Sequence, residues 1–359
     1  MHAKVSNFLD IDAYKETFET NLNKDEIAKN FWAKQIPLLI MKFAAQAKES
    51  QKTDDSVAQA YKTEYQENVD LLMNNKEDFL SVRILLELNE KLLEKHGFHD
   101  VWKAQKGAEN SKSLTMLSQR LIEIDDIKDS DENINKRKWE ELVRGVLAGN
   151  IFDSGATAVQ EILNDNQHFG LHDALKEIQE RPWLIDSFDK LLERFANGSK
   201  HNCAAFFCDN SGVDIVLGVL PFVRELLKRE TKVILCANSG PSLNDVTAKE
   251  LVDVVREATE ICPIIKENYL NKNLIVQESG QRGCCLNFLN IDEHLIDIML
   301  LYKVDLIIIE GMGRSLHTNL NSRFKCDSLK LAVIKNKFLA SRLGGNLFDA
   351  ICKYENNST

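Results

Sequence analysis

The spacing of apolar residues changes character near residue 200. Before that point apolar positions recur at intervals of three and four among charged ones, the pattern of helices that bury one stripe. Over 77–97, Phe79, Val82, Leu85, Leu86, Leu92 and Leu93 fall near helical spacing, and the run ends at Gly97, a residue suited to the left-handed position after a helix. Similar stripes predict a helix over 24–43 that Pro37 breaks or restarts, one over 131–147 with Asp131 capping its first turn, and one over 184–197 that stops at Gly198. Beyond residue 200, short apolar runs at 203–208, 232–237, 274–276, 304–309 and 329–334 read as strands covered on both faces. Amphipathic segments at 213–228, 248–259, 292–301 and 337–343 supply the crossover helices. Glycine follows the same division, with four in the first 150 residues and twelve afterwards, as turns between short strands require. The pattern predicts an α/β fold class, a doubly wound and mostly parallel sheet, preceded by an all-helical region. The expected domains are 1–200, all helical, and 201–359, α/β and catalytic.

In doubly wound sheets ligands bind just beyond the carboxyl ends of the strands, so chemistry is sought in the segments that follow the runs. The first run leads into Asp209-Asn210-Ser211-Gly212 and the second into Asn238-Ser239-Gly240-Pro241-Ser242-Leu243-Asn244-Asp245. Asp and Asn side chains with water form the hard-oxygen environment that magnesium or manganese prefers, and a metal with few protein ligands keeps positions open for a phosphate. Either aspartate alone could merely cap the next helix. Two of them in equivalent loops favour a site.

The fourth run leads into Glu310-Gly311-Met312-Gly313-Arg314. Its glycines allow backbone amides to line an anion-binding concavity, and Arg314 adds a charge-assisted donor. Leu316 stands where the dinucleotide fingerprint G-x-G-x-x-G requires its third glycine, which argues against a nicotinamide enzyme. The fifth run leads to Lys335, a point charge able to neutralise a phosphoryl group during transfer. Haloacid-dehalogenase phosphatases carry a second aspartate two residues after the first, and here position 211 is serine, so an aspartyl-phosphate on Asp209 lacks its usual acid/base partner.

Composition narrows the classes further. The chain has 359 residues, 44% hydrophobic and 28% charged, the balance of a globular protein of about two domains. A net charge of −10, with no basic stretch interleaved with aromatics, argues against nucleic acid as a partner. No apolar run approaches the roughly 20 residues of a membrane span and no apolar leader opens the sequence, so no membrane association and a cytoplasmic location are expected. All eight cysteines follow residue 200 and none forms C-x-x-C. Cys203, Cys208 and Cys236 suit buried thiols, whereas the adjacent Cys284 and Cys285 are open to a redox or soft-metal role.

Taken together, 209–214, 237–245, 310–314 and 329–336 resemble the damage-control phosphatase family (domain of unknown function 89), and Glu-Gly-Met-Gly-Arg at 310–314 resembles its 4′-phosphopantetheine phosphatase subfamily. The likeness runs through 201–359 and more weakly into 148–153 and 181–183. The resemblance implies a helical N-terminal domain packed on a Rossmann-like α/β domain. It also implies one divalent metal ion, Mg, Mn, Co or Ni, held by Asp209, Asn210 and Asp245. Asn238, Ser239, Glu310, Gly311, Gly313, Arg314 and Lys335 would face the phosphate, with Asp209 and Lys335 catalytic. The substrate so implied is a small phosphorylated metabolite, 4′-phosphopantetheine or its oxidised forms, hydrolysed to pantetheine and phosphate so as to limit coenzyme A synthesis. Asp209 and a metal-activated water remain alternative nucleophiles. The actin-like kinase domain fused to some members is not recognisable here, so a free phosphatase is expected. Rival readings are a phosphatase for another phosphometabolite such as a sugar phosphate, a SAM-dependent carboxyl methyltransferase, and a noncatalytic metabolite-binding protein.

Overall fold

The computed structural model describes residues 2–18, 20–51, 55–128, 136–151, 170–197 and 200–357. Asp131, Gly198 and residues 152–153 of the weaker likeness lie outside the described residues. Seven strands form one sheet: β1 (Ile185–Asp186), β2 (Cys203–Phe207), β3 (Lys232–Ala237), β4 (Leu274–Glu278), β5 (Leu306–Glu310), β6 (Asp327–Val333) and β7 (Ala350–Glu355). Their spatial order is β1-β7-β6-β5-β2-β3-β4. β2 pairs in parallel with β3 on one side and with β5 on the other. The chain therefore steps outward from β2 to β4, then returns across to β5, and the loops after β2 and β5 diverge to leave a crevice at the carboxyl edge. β7 runs antiparallel to β6 and parallel to β1, so the sheet is mostly parallel.

The five apolar runs become β2 to β6 because both faces of these strands are covered, and successive side chains divide between the two faces. Ala204, Phe206, Val233, Leu235, Leu306 and Ile308 point into the core that contains Trp139, Phe222 and Leu251. Cys203, Ala205, Phe207, Ile234, Ile307 and Ile309 point the other way, toward Phe288, Leu295 and Phe324. Each fully buried Phe, Leu or Ile contributes about 1.5–3 kcal/mol through removal from water.

Before the sheet, helices Glu26–Gln51, Asp55–Asn74 and Val82–Lys95 share a core around Phe43, Tyr61, Tyr65 and Phe98, into which Leu243 inserts from the loop after β3. The later helices Lys103–Asp125, Lys136–Gly149 and Phe188–Asn197 contribute Leu117, Leu142 and Leu191 to the same cluster as the sheet. Lys136–Gly149 crosses the segment after β2 at Gly145 and Gly218, where a Cβ on Gly218 would meet the Gly145 carbonyl at 2.9 Å.

Several sequence expectations are corrected. The helix through Pro37 is unbroken from Glu26 to Gln51. Pro37 is exposed, so its ring and the carbonyl left without a donor four residues earlier both face water. The segment at 184–197 is not one helix: Ile185–Asp186 pairs with β7 and the helix begins at Phe188. Asp186 dictates this, since its carboxylate accepts from the Phe188 amide at 3.0 Å and binds Arg181. The run at 77–97 becomes helical only at Val82, capped by Ser81, and Gly97 does adopt the left-handed conformation, with φ +83°. The segment after β2 opens as a π-helix, Asp214–Val219, before the α-helix Leu220–Lys228. Helices Asp55–Asn74 and Lys103–Asp125 and strand β7 are additional to the elements that the apolar spacing predicts.

Candidate active site

The loops after β2 and β3 are tied together by main-chain hydrogen bonds: Ser211 N–H to Asn244 O at 2.9 Å and Val246 N–H to Asp209 O at 2.9 Å, with Asn210 bridged to Asp245. This stitching places Asp209 and Asp245 beside each other although they follow different strands. Arg314 enters between them from a π-helical segment, Met312–Asn319, that follows β5. One guanidinium nitrogen donates to Asp209 Oδ1, and the other to Asp245 Oδ2 at 2.7 Å, Asn238 Oδ1 at 2.9 Å and the Gly283 carbonyl at 3.3 Å. Burial by itself would lower the Arg314 pKa, but Asp245 and Asp209 outweigh it and raise it, so Arg314 is a permanent cation.

Glu310, the last residue of β5, accepts from the Asp209 amide at 3.0 Å and so fixes the backbone from which that carboxylate projects. Gly311 has φ +98°, and a Cβ there would lie 2.3 Å from the Asp209 carboxylate. Its amide is committed to the Leu331 carbonyl at 3.0 Å. Gly313 is required by close approach as well, since a Cβ would meet the Cys284 carbonyl at 2.1 Å. The two glycines thus let Asp209 and the Cys284 segment press onto the turn.

Behind Asp209 lies a second carboxylate pair. Asp214 is fully buried, and its Oδ2 accepts from the Asn210 amide, Asn210 Nδ2 at 2.9 Å and Asn150 Nδ2 at 3.1 Å. Burial first, and then Asp209, pushes its pKa up to about 6. Burial, followed by Asp214 and Asp209, raises the Glu310 pKa well above its ordinary value. Asp214 Oδ1 and Glu310 Oε2 are buried without a hydrogen-bond partner.

Asn150, just beyond the Lys136–Gly149 helix, joins this cluster to the last strand. Its Nδ2 donates to Asp209 Oδ2 at 2.9 Å, while its main-chain and side-chain carbonyls accept from the buried Lys335 ammonium. A further buried cation, Lys106 of the Lys103–Asp125 helix, reaches the Asp245 carbonyl at 3.4 Å and pairs with Glu250 at 2.9 Å and Asp100 at 3.1 Å. Asn150, Lys106 and Asp214 are site residues beyond those the sequence predicts. Asp214 and Asn150 do lie within the quoted 209–214 and 148–153 segments, whereas nothing in its local pattern marks Lys106.

A cleft of about 1160 Å³ opens beside the cluster, between the Val82–Lys95 helix and the loops after β3 and β4. Asn238 and Ser239 line it together with Glu90, Asp100, Cys284 and Cys285. Asn238 connects cleft and cluster, because its Nδ2 donates to Asp245 Oδ2 at 3.1 Å while its Oδ1 holds Arg314. Ser239 Oγ accepts from the Gly280 amide at 2.8 Å. The structure thus brings Asp209, Asn210, Asn238, Asp245, Glu310, Arg314 and, through Asn150, Lys335 to one edge of the sheet. Among the described residues no three His, Cys, Asp or Glu side chains form a group able to hold a metal ion; the Arg314 guanidinium stands between the two aspartates.

Fold and site together define an α/β protein with a buried acidic cluster at the switch point of a doubly wound sheet. Comparison with known proteins places it more closely. Residues 21–351 match the family described as the damage-control phosphatase ARMT1-like domain, and the chain belongs to that family. It is 38% identical to a mouse 4′-phosphopantetheine phosphatase over 77% of this chain and 38% of that protein. It is 39% identical to pantothenate kinase 2 of Oryza sativa subsp. japonica, over 76% of this chain and 32% of that one. A damage-control phosphatase of Arabidopsis thaliana is 36% identical over 76% of this chain and 71% of its own length. The chain spans about a third of the two longer relatives. The crystal structure of a DUF89 family protein from Pyrococcus horikoshii superposes with a TM-score of 0.58 at 15% identity, covering 89% of this chain and 98% of that one, and shows the shared fold.

Proposed function

We propose that this protein is a metal-dependent phosphatase acting on 4′-phosphopantetheine or its oxidised forms. The observation that carries the reading is the Arg314 guanidinium joining Asp209 to Asp245 beside a cleft large enough for an elongated ester. Membership of the damage-control phosphatase family and the likeness to the mouse enzyme support the reaction type and the substrate.

The donor set fits a hard divalent cation. Four buried carboxyl groups, Asp209, Asp214, Asp245 and Glu310, surround two buried cations, Arg314 and Lys335, so even with Glu310 protonated the cluster keeps an excess of negative charge. Asp209, Asn210 and Asp245 would hold the ion, which when bound supplies Lewis acidity toward phosphoryl oxygens and lowers the pKa of water. The chain's own residues do the remaining work. Arg314 compensates the aspartates and offers guanidinium donors to a phosphate. Asn150 and Asn210 orient Asp209, and Glu310 fixes its main chain. Lys335 locks the Asn150 amide in the orientation that points Nδ2 at Asp209. Ser239 and Asn238 stand where the ester enters from the cleft.

The deciding experiment measures phosphate release from 4′-phosphopantetheine, its disulfide and sulfonate forms, sugar phosphates and p-nitrophenyl phosphate, with and without divalent ions. Preference for the phosphopantetheine series in kcat/KM supports the proposal. Equal or better hydrolysis of sugar phosphates would reassign the substrate, and no hydrolysis of any ester would end the phosphatase reading.

A further inference from the structure

Cys284 and Cys285 stand between β4 and the Glu293–Leu301 helix, both partly exposed and both lining the cleft. All eight cysteines of the chain are thiols. The Cys284 thiol hydrogen-bonds with Cys285, and that bond, followed by burial, holds its proton on well above the ordinary thiol range. Consecutive in the chain and both on the cleft wall, the two thiols are open to the same small oxidant.

The same segment grips the site. The Gly283 carbonyl accepts from Arg314 at 3.3 Å and from Asn238 at 3.1 Å. The Cys284 carbonyl is pressed against Gly313, and the Leu286 amide donates to Thr318 Oγ1 at 3.4 Å. Any change in the backbone at 283–285 is thus transmitted to Arg314.

We propose that Cys284 and Cys285 are a redox-modification site: a hydroperoxide oxidises them to a vicinal disulfide, and closure of that ring displaces the Gly283 carbonyl that holds both Arg314 and Asn238. With hydrogen peroxide as oxidant, the Cys285 sulfur attacks one peroxide oxygen, the O–O bond breaks, and Cys285 becomes a sulfenic acid with loss of one water. The Cys284 sulfur then attacks the Cys285 sulfur, the S–S bond forms, the S–O bond breaks, and a second water leaves. Two thiols lose two hydrogens and one peroxide becomes two waters. Adjacent Cα atoms are about 3.8 Å apart, shorter than the roughly 4.4 Å at which disulfides ordinarily begin, so the ring is strained. Strained disulfides are readily reduced, which suits a reversible modification.

The test treats the protein with hydrogen peroxide, quenches it, and maps its peptides by mass spectrometry alongside a phosphatase assay. The expected result is loss of two hydrogens from the peptide carrying Cys284 and Cys285, a fall in turnover by about 100-fold, the scale of misplacing site groups by an ångström, and recovery of both with dithiothreitol. Phenylarsine oxide, which bridges neighbouring thiols, should label the same peptide in the unmodified protein. Cys284→Ser and Cys285→Ser, each compared with its own untreated rate, should lose the reversible response. Oxidation that stops at separate sulfinic acids, or an intact dithiol in an inactivated protein, would overturn the site. A vicinal disulfide without change in turnover would overturn its coupling to Arg314. The switching part rests on the phosphatase reading, but the mass change does not, so the two can fail separately.

Discussion

The Lys335 ammonium donates to two oxygens of one residue, the main-chain carbonyl of Asn150 at 2.7 Å and its side-chain carbonyl at 3.2 Å. This fixes which way the amide faces and sends Nδ2 toward Asp209 at 2.9 Å and Asp214 at 3.1 Å. In this arrangement Lys335 acts on Asp209 through Asn150.

Replacing Lys335 with methionine keeps the aliphatic stem and removes the charge. Turnover should fall by roughly 10² to 10⁴, the range for one preorganised electrostatic group, with about 1–3 kcal/mol of stability lost from the Asn150 oxygens. Asn150→Ala should fall comparably. If the lysine works through the amide, the double variant falls little further than either single one. Steady-state kinetics of all three decide it, and multiplicative losses would place Lys335 on the substrate independently.

Asp245→Asn should reduce turnover by about 10³-fold, several kcal/mol of transition-state stabilisation. Its effect on stability should be small because Arg314 keeps Asp209 as a partner and one buried negative charge is relieved. Calorimetric titration should show weakened Mn binding. A large drop in melting temperature with unchanged turnover of the folded fraction would make Asp245 structural.

Metal dependence has two readouts. EDTA followed by dialysis should abolish phosphate release, and Mg, Mn, Co or Ni should restore it to different degrees. Independently of activity, Mn at about 100 times its dissociation constant should stabilise the fold by about 2.7 kcal/mol in denaturant titrations. Full activity in excess EDTA would sink the metal proposal.

Glu90 makes the cleft wall sensitive to pH. Burial pushes its pKa up to about 7 from 4.5, with Asp245 and Asp100 adding to the rise. The folded state then binds a proton that the unfolded state has released, so the contribution of Glu90 to stability is full below about pH 4.5 and is lost as pH rises through about 7. Glu90→Gln should remove that decline, a difference of about 3 kcal/mol above pH 7 by the conversion of pKa units to energy. Urea midpoints for both proteins between pH 4 and 8 measure it, and parallel curves would show that Glu90 is not coupled to folding.

The sequence by itself determined strands β2 to β6 and what ends them. Runs such as 203–208 and 304–309 are so apolar that only burial on both faces accommodates them, and the first polar residues after them, Asp209 and Glu310, had to emerge at the carboxyl edge. The left-handed Gly97 was equally local. Pro37 misled because its tolerance depends on facing water, which spacing alone does not report. β7 was missed because its value lies in pairing antiparallel with β6, a contact between separate segments. Tertiary structure also decided that Arg314 bridges two aspartates from different loops, and that Asn150 and Lys106, from helices far earlier in the chain, reach the same edge. Those contacts depend on strand order and helix packing, and a buried charge finds its partner only when the whole fold brings the opposite charge to it.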